Sequence, residues 1–277
     1  MMIDLSVVIV NYNNRGLLRQ CLRSLIKNLQ NNKLKYKIVV VDNKSSDNSV
    51  DMVREEFPMV RLILSEKNLG YAKGVNIGLR SIEGRYYLIL NMDTTIVQKD
   101  AISNMVDFMD SHPSIGLAGP KLINPNGSIQ VSCCRFPKLM YPIFRRTFFR
   151  HLYFSKKLLS EYLMLDWKHD SSQPVDWVIG TGMIIRNEAI KQVGLMDERF
   201  FMYFEDVDWC RRFWENNWQV YYISSVQIVH YYSRDSAKKM GVVSLFNRQT
   251  RIHIISWFKY FLKYPKNINP NDEKKIG

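Results

Sequence analysis

The sequence is short of several things, and each shortage excludes something. Four cysteines stand among 277 residues, at Cys21, Cys133, Cys134 and Cys210. None forms a CxxC pair or a zinc-ligand spacing. That excludes a zinc ribbon and a disulfide-stapled scaffold, so the expectation is reduced, buried thiols in a cytosolic protein. No run of about 18 uncharged apolar residues occurs, so no segment reads as a membrane-spanning helix. The opening "MMIDLSVVIVNYNN" lacks a basic stretch before its apolar residues and is not expected to be a signal peptide. "NYNNRG" follows the first apolar run, where a dinucleotide-binding fold needs GxGxxG. That argues against a nicotinamide-dependent dehydrogenase. Acid is scarce too, with 26 Asp and Glu against 39 Lys and Arg, a net charge of +13. Residues 138–168 carry net +5 and residues 234–266 net +7, so the remainder is nearly neutral. No uniformly basic surface for nucleic acid is expected.

What is present is alternation. "LSVVIVNY" (5–12) and "YKIVVVDN" (36–43) are short apolar runs that predict buried strands, and "VRLILSE" (60–66) and "RYYLILNMD" (85–93) predict two more strands. Between them, residues 15–30, 46–56 and 70–82 have helical spacing. Strands alternating with helices predict a parallel sheet with right-handed crossovers. Ligands bind such sheets beyond the carboxyl ends of the strands. Polar residues gather there: Asn11 and Asn13, Asp42 and Asn43, Asn91 and Asp93. Further on, 100–112 predicts a helix and 115–132 two strands around an Asn-Pro-Asn-Gly turn. Residues 139–165 read as helix-like and 176–186 as one strand. A helix is expected from about 187, another through Asn216, strands over 218–224 and 225–233, and a basic amphipathic helix from 238.

Four stretches carry chemistry. Asn11 and Tyr12 can present an amide and a ring to a nucleobase. Asp42 can accept the imide N–H of uracil or thymine, although the residue alone reads equally as a loop cap. "EKNLGYAKGVNIGL" (66–79) has three glycines on a loop-to-helix path. They allow either close approach of a phosphate to backbone or close helix packing; Lys73 adds a charge. Asp93 ends an apolar strand, a place suited to Mg²⁺ or Mn²⁺, which take oxygen ligands and lean on substrate phosphates. His230, near the end of a late strand, reads as a second ligand or as a hydrogen-bonded core residue. "FFMYFEDVDWCRR" (200–212) sets Glu205, Asp206 and Asp208 after a block of aromatics and Met. Acids in a first helical turn suit the helix dipole; a carboxylate at an active-site wall is the sharper reading.

Together, "VVIVNYNN", "VVDNKSSD", "KNLGYAKGVNIGL", "LNMDT", "VIGTGMIIRNEAI", "VGLMDERFFMYFEDVDWCRR" and "VHYYS" fall in the order seen in family 2 glycosyltransferases. The chain resembles their bacterial rhamnosyltransferase-like branch over about residues 3–233. The resemblance implies an α/β GT-A fold: a Rossmann-like, mostly parallel sheet with helices on both faces. Residues 1–97 would be its nucleotide-binding half, 98–233 its acceptor-binding half, and 234–277 a basic amphipathic helical region. It implies that Val10, Asn11, Tyr12, Asn13, Asp42, Asn68, Gly70, Lys73, Asn76, Asn91, Met92 and Asp93 serve the donor nucleotide. Asp93 closes a DxD-like element whose first position here is Asn91, and with His230 it would hold Mg²⁺ or Mn²⁺. Trp177, Gly180, Thr181, Gly182, Glu205 and Asp208 would line the sugar and acceptor pocket. Asp206 would be the general base of an inverting transfer, while Glu205 and Asp208 orient the loop, bind acceptor or pair with Arg211 and Arg212.

The expected reaction moves L-rhamnose from dTDP-rhamnose to a polyprenyl-diphosphate-linked glycan at the inner face of the membrane, in surface polysaccharide synthesis. The alternatives are a UDP-galactofuranose, UDP-glucose or UDP-amino-sugar transferase, a nucleotidyltransferase, or a non-catalytic basic membrane module. The aromatic, basic segments predict contact with an anionic membrane or a homodimer contact, and no nucleic-acid partner.

Overall fold

Seven consecutive buried residues, Leu5–Asn11, form β1 at the centre of the molecule. The computed structural model describes residues 3–30, 32–139, 153–231, 247–266 and 269–271. The order continues α1 (Arg15–Gln30), β2 (Tyr36–Asp42), α2 (Ser49–Glu56), β3 (Arg61–Leu64), α3 (Tyr71–Ser81), β4 (Tyr86–Asn91), β5 (Thr94–Thr95) and α4 (Ala101–Ser111). Then come β6 (Ile115–Ile123), β7 (Ile129–Gln130), β8 (Cys133–Cys134), α5 (Tyr153–Tyr162), β9 (Gln173–Pro174), β10 (Trp177–Val178), β11 (Gly182–Arg186) and α6 (Asn187–Val193). The last elements are α7 (Glu205–Glu215), β12 (Gln219–His230) and α8 (Arg248–Lys263). The expected helix over 139–165 lies outside the described residues for 140–152, and the start of the C-terminal helix does so up to 246.

The main sheet runs β3-β2-β1-β4-β11-β6-β12-β5. β3, β2, β1 and β4 are mutually parallel, as the alternation predicts. β11 then enters antiparallel between β4 and β6. β12 again runs parallel to β6. Side chains of β1 alternate between two apolar clusters, Leu5, Val7 and Ile9 on one face and Val8 and Val10 on the other. α1, α2 and α4 cover the first face; α3, α6, α7 and α8 cover the second.

Two local expectations change. The strand predicted over 176–186 is two, β10 and β11, split where Thr181 N–H turns back to the Ile179 carbonyl at 2.8 Å. The two strands predicted over 218–233 are one, β12, with a register shift between Ile223 and Gln227. Its two serines there sit at a bulge, which reads in sequence like a break. The helix from 187 is short because Gly194, at φ 82°, ends it. Nor is the C-terminal helix an appendage: Tyr260 is fully buried in the same cluster as Trp209 and Phe213. Among the described residues, no helix is long and apolar enough to cross a membrane.

Candidate active site

The carboxyl ends of β1, β2 and β4 bring Asn11, Asp42, Asn43, Asn91 and Asp93 together. Parallel register does this, pairing Asn11 with Asp42 and Val10 with Asn91. Asp42 is 2% exposed; it accepts Ser45 N–H at 2.8 Å and the Asn11 amide at 2.9 Å. Its two oxygens thus cap the loop, the plainer of the two readings. Asn13, at φ 50°, caps the same loop through Ser46 N–H at 2.7 Å. Tyr12 stands open beside them, 42% exposed.

Spare oxygens mark the site. Asn11 Oδ1, Asn43 Oδ1, Asn91 Oδ1, Asp93 Oδ1 and Glu205 Oε2 are buried without a hydrogen-bond donor. A buried acceptor left unpaired is costly and rare, so such a group wants a ligand. Asp93 and His230 meet although 137 positions separate them in sequence. β12 pairs with β5, setting His230 opposite Thr94, and Tyr231 N–H donates to the Asp93 carbonyl at 2.8 Å. His230 Nδ1 lies 2.8 Å from Gln130 Oε1, which makes it the donor. Nε2 faces Asp93 Oδ1 at 3.4 Å. An imidazole nitrogen and a carboxylate oxygen at that spacing can share a cation or a proton, and a carbonyl-type partner on the other ring nitrogen is how metal-binding imidazoles are held. Oxygen plus imidazole suits Mg²⁺ or Mn²⁺. Among the described residues, no group of three His, Cys, Asp or Glu forms, so further ligands would come from substrate oxygens or water.

The acidic stretch closes the other side. Phe204, at φ 68°, turns the chain into α7, and Asp206 lies in the first turn. Asp206 accepts Gly180 N–H at 3.1 Å through Oδ2 and Val207 N–H at 2.9 Å through Oδ1. It keeps partial exposure, whereas Glu205 is 5% exposed. Burial pushes the Asp206 carboxyl up to about 6, against the pull of those two amides. Burial first, then the charge of Asp206, holds Glu205 well above the usual carboxylate range. Tyr71 donates its hydroxyl to the Gly180 carbonyl. Burial raises its phenol, with Glu205, Asp206 and Asp93 adding to the rise. Three acids, Glu205 and Asp206 of α7 and Asp93 just past β4, therefore act on one ring.

A docked loop holds these parts in register. Tyr71 N–H donates to the Phe201 carbonyl at 2.7 Å, and Asn43 donates to the Gly70 carbonyl at 3.0 Å. Gly70 has φ 85°, and a Cβ there would stand 2.3 Å from the Phe201 carbonyl oxygen. The aromatic block before Glu205 is thus the seat of the glycine loop.

Two family models match the chain: glycosyl transferase family 2 over residues 6–152, and glycosyl transferase family group 2 over residues 86–260. The chain belongs to glycosyl transferase family 2. It is 27% identical over 222 residues to the N-acetylglucosaminyl-diphospho-decaprenol L-rhamnosyltransferase of Mycobacterium tuberculosis, covering 73% of this chain and 68% of that protein. It is 26% identical over 207 residues to dTDP-rhamnosyl transferase RfbF of Shigella flexneri, covering 74% of this chain and 63% of that one. The fold matches the mannosyltransferase PcManGT of Pyrobaculum calidifontis, solved with GDP-Man and Mn²⁺, at TM-score 0.60 and 18% identity, over 98% of this chain and 67% of that one. It also matches GalNAc-T7, solved with UDP, GalNAc and Mn²⁺, at TM-score 0.61 and 17% identity; 83% of this chain covers 44% of that one. The GT-A fold is therefore shared.

Within this glycosyltransferase, several residues named from the sequence are engaged elsewhere. Asn76 is fully buried, exchanging hydrogen bonds with Met196 and donating to Glu198. Its amide ties α3 to the 196–198 loop rather than meeting a nucleotide. The Asn76 amide first, then Arg80, lower the Glu198 carboxyl, and the charge of Lys73 adds a smaller pull. Asp208 is 0% exposed and is bound by Arg212 at 2.9 Å, Lys263 at 2.5 Å and the Tyr264 hydroxyl at 2.9 Å. It clamps α7 to α8. Of the two pairings expected, Arg212 takes Asp208, whereas Arg211 pairs with Glu215. Trp177 packs in the apolar cluster and donates its indole N–H to the Arg135 carbonyl at 2.8 Å. Val10 and Met92 also pack into the apolar clusters.

Two of the three helix-path glycines serve packing. A Cβ at Gly74 would lie 2.8 Å from Val10 Cγ1, and one at Gly78 would lie 2.3 Å from Val8 Cγ1. A Cβ at Gly182 would touch the Pro120 ring at 3.4 Å and Ile228 Cδ1 at 3.8 Å, both ordinary contacts. Thr181 accepts Asn91 N–H at 2.9 Å and so aligns Asn91. Asn68 accepts Gly70 N–H at 3.0 Å and shapes the loop. Sequence reasoning missed Tyr71 and Gln130. Tyr71 was legible only as an aromatic placed between Gly70 and Lys73; Gln130 carried no sign at all.

Proposed function

We propose that the protein transfers a sugar, L-rhamnose from dTDP-rhamnose, to a lipid-linked glycan with inversion at the anomeric carbon. The names of the two rhamnosyltransferase relatives support the donor and the lipid-linked acceptor. One observation carries the reading: the charges of Glu205, Asp206 and Asp93 all act on the Tyr71 phenol, and Asp93 is paired with His230. A transferase needs a pole for the leaving diphosphate and a base for the incoming hydroxyl, and these are two such poles.

Asp93 and His230 would hold Mg²⁺ or Mn²⁺. When bound, such an ion offsets charge developing on the departing nucleoside diphosphate. Asn11, Asn43 and Asn91 offer spare carbonyl oxygens to donor hydroxyls and amides. Tyr12 offers a ring to the base. Asp206 takes the proton of the acceptor hydroxyl as it attacks. Its raised carboxyl makes it a better acceptor of that proton near neutral pH than an ordinary aspartate. Glu205, favoured in its protonated form, donates to substrate rather than competing as a second base. The N–H groups of Gly180 and Val207 aim Asp206. Inversion uses one base and no covalent intermediate, so no further carboxylate is required. The protein acts on the cytoplasmic side, at the inner face of the membrane.

The test is a thermal-shift panel of nucleoside diphosphates and their sugars, with and without Mn²⁺, followed by transfer to a polyprenyl-diphosphate glycan. A ligand of the native state raises apparent stability. A metal-dependent rise with dTDP, and turnover with dTDP-rhamnose, is the expected result. A larger rise with UDP or GDP species overturns the donor. Absence of any rise in folded protein overturns the transferase site.

A further inference from the structure

The helix α8 is used differently on its two sides. Its inner side is committed to the protein. Ser256 donates to the Met202 carbonyl at 2.8 Å, Lys263 binds Asp197 and Asp208, and Tyr260 is fully buried. Even Lys259, exposed as it is, reaches the Arg199 carbonyl at 2.6 Å. The outer side is apolar where a water-facing helix is polar. Ile255 is 52%, Phe258 55% and Leu262 79% exposed. Their spacing of three and four places them in one stripe about 10 Å long. Arg248 and Arg251 are exposed at one end of the helix and Lys266 just past the other. No acid occurs from Asn247 to Asn271. Single exposed apolar residues need no explanation, but a contiguous stripe framed by cations does.

We propose that this face seats the protein on an anionic membrane surface. Ile255, Phe258 and Leu262 enter the headgroup boundary, and Arg248, Arg251 and Lys266 lie against lipid phosphates. The proposal rests on the lipid-linked acceptor reading and adds where the protein meets the lipid. The same helix backs the 197–208 stretch that leads to Asp206, so the seated face also supports the base-bearing loop. A second copy of the chain is the weaker occupant, because pairing two such faces brings like charges together. A nucleic-acid backbone leaves the apolar stripe without a partner.

The experiment is flotation of the full chain with vesicles of phosphatidylcholine, with and without phosphatidylglycerol, at low and high salt. The wild type is expected to float with anionic vesicles and less so at high salt. The triple variant Ile255→Ser, Phe258→Ser, Leu262→Ser should partition at least about tenfold more weakly. Arg248→Glu with Arg251→Glu should weaken binding most where phosphatidylglycerol is present. Mn²⁺-dependent thermal shift with dTDP reports that each variant is folded. On a short, water-soluble acceptor all variants should turn over as the wild type does, with the loss confined to acceptor embedded in vesicles. A triple variant that floats as well as the wild type overturns the proposal. So does a wild type that stays in solution, or a concentration-dependent dimer that the triple variant abolishes. Failure of turnover on the soluble acceptor, with flotation intact, strikes the transferase reading and leaves the seat standing.

Discussion

Asp206 and Asp208 stand two residues apart in the same helix turn and have opposite fates. Asp208 is closed off and held by Arg212, Lys263 and Tyr264. Asp206 meets only backbone N–H groups among the described residues, stays partly exposed, and has its carboxyl raised by burial. Helical geometry separates them: two positions turn a side chain by about 200°, so one faces α8 and the other the Gly180 turn. A carboxylate surrounded by cations is a clamp. A carboxylate given amides and no cation is available for proton transfer.

The largest effect should fall on Asp206. Asp206→Asn is expected to lower transfer about 10²- to 10⁴-fold while leaving the dTDP thermal shift in place. Retained turnover would erase the contrast between the two acids. Asp93→Asn should come next, removing the Mn²⁺-dependent part of that shift, read by titrating Mn²⁺ at fixed dTDP. Asp208→Ala should reverse the pattern. It leaves two cations facing each other at the α7–α8 contact and should cost about 3 kcal/mol in urea unfolding. Turnover per folded molecule should then change only a few-fold.

The pH dependence sharpens the same comparison. Asp197 shares Lys263 with Asp208. Its hydrogen bonds to Arg199 first, and then Lys263, hold its carboxyl well below the usual range. The folded form holds that proton less tightly, so the stabilisation is full above about pH 4 and is lost as pH falls further. Asp206 has the opposite sign. Its folded carboxyl binds the proton more tightly, so its burial weighs against the fold as pH rises from the ordinary carboxylate value to about 6. Transfer should fall in acid through about pH 6, where the base becomes protonated. The smallest effect is Tyr71→Phe. Losing the hydroxyl frees the Gly180 turn, weakens the amide held to Asp206, and should move that acid limb to higher pH with a few-fold loss in kcat. An unmoved limb would show that Tyr71 only packs.

Much of the first 95 residues could be read from the chain. β-branched runs and helical spacing marked β1 to β4, and their polar ends marked the ligand side. Packing by Gly74 and Gly78 could not be separated from ligand approach, because a missing Cβ looks the same in both. The antiparallel entry of β11 was not legible either. Pairing direction depends on where a chain returns after a long excursion, and Gly182–Arg186 carries no local mark of it. Further along, the resemblance named Asp206 as the base and left Asp208 to orient the loop, bind acceptor or pair with an arginine; the contacts with Arg212 and α8 show the pairing.

The sequence by itself determined that three strands, β1, β2 and β4, would end in Asn11, in Asp42 and in Asn91 with Asp93, because side-chain period and apolar content are local properties. It also determined that Glu205, Asp206 and Asp208 would open a helix. Only the tertiary structure decided that His230 meets Asp93, that three acids act on Tyr71, and that Lys263 faces inward. Those are distances between elements far apart in sequence, set by strand pairing and by which helix face the core accepts. Charge along the chain says how many lysines α8 has; the fold alone says which of them are left to face water.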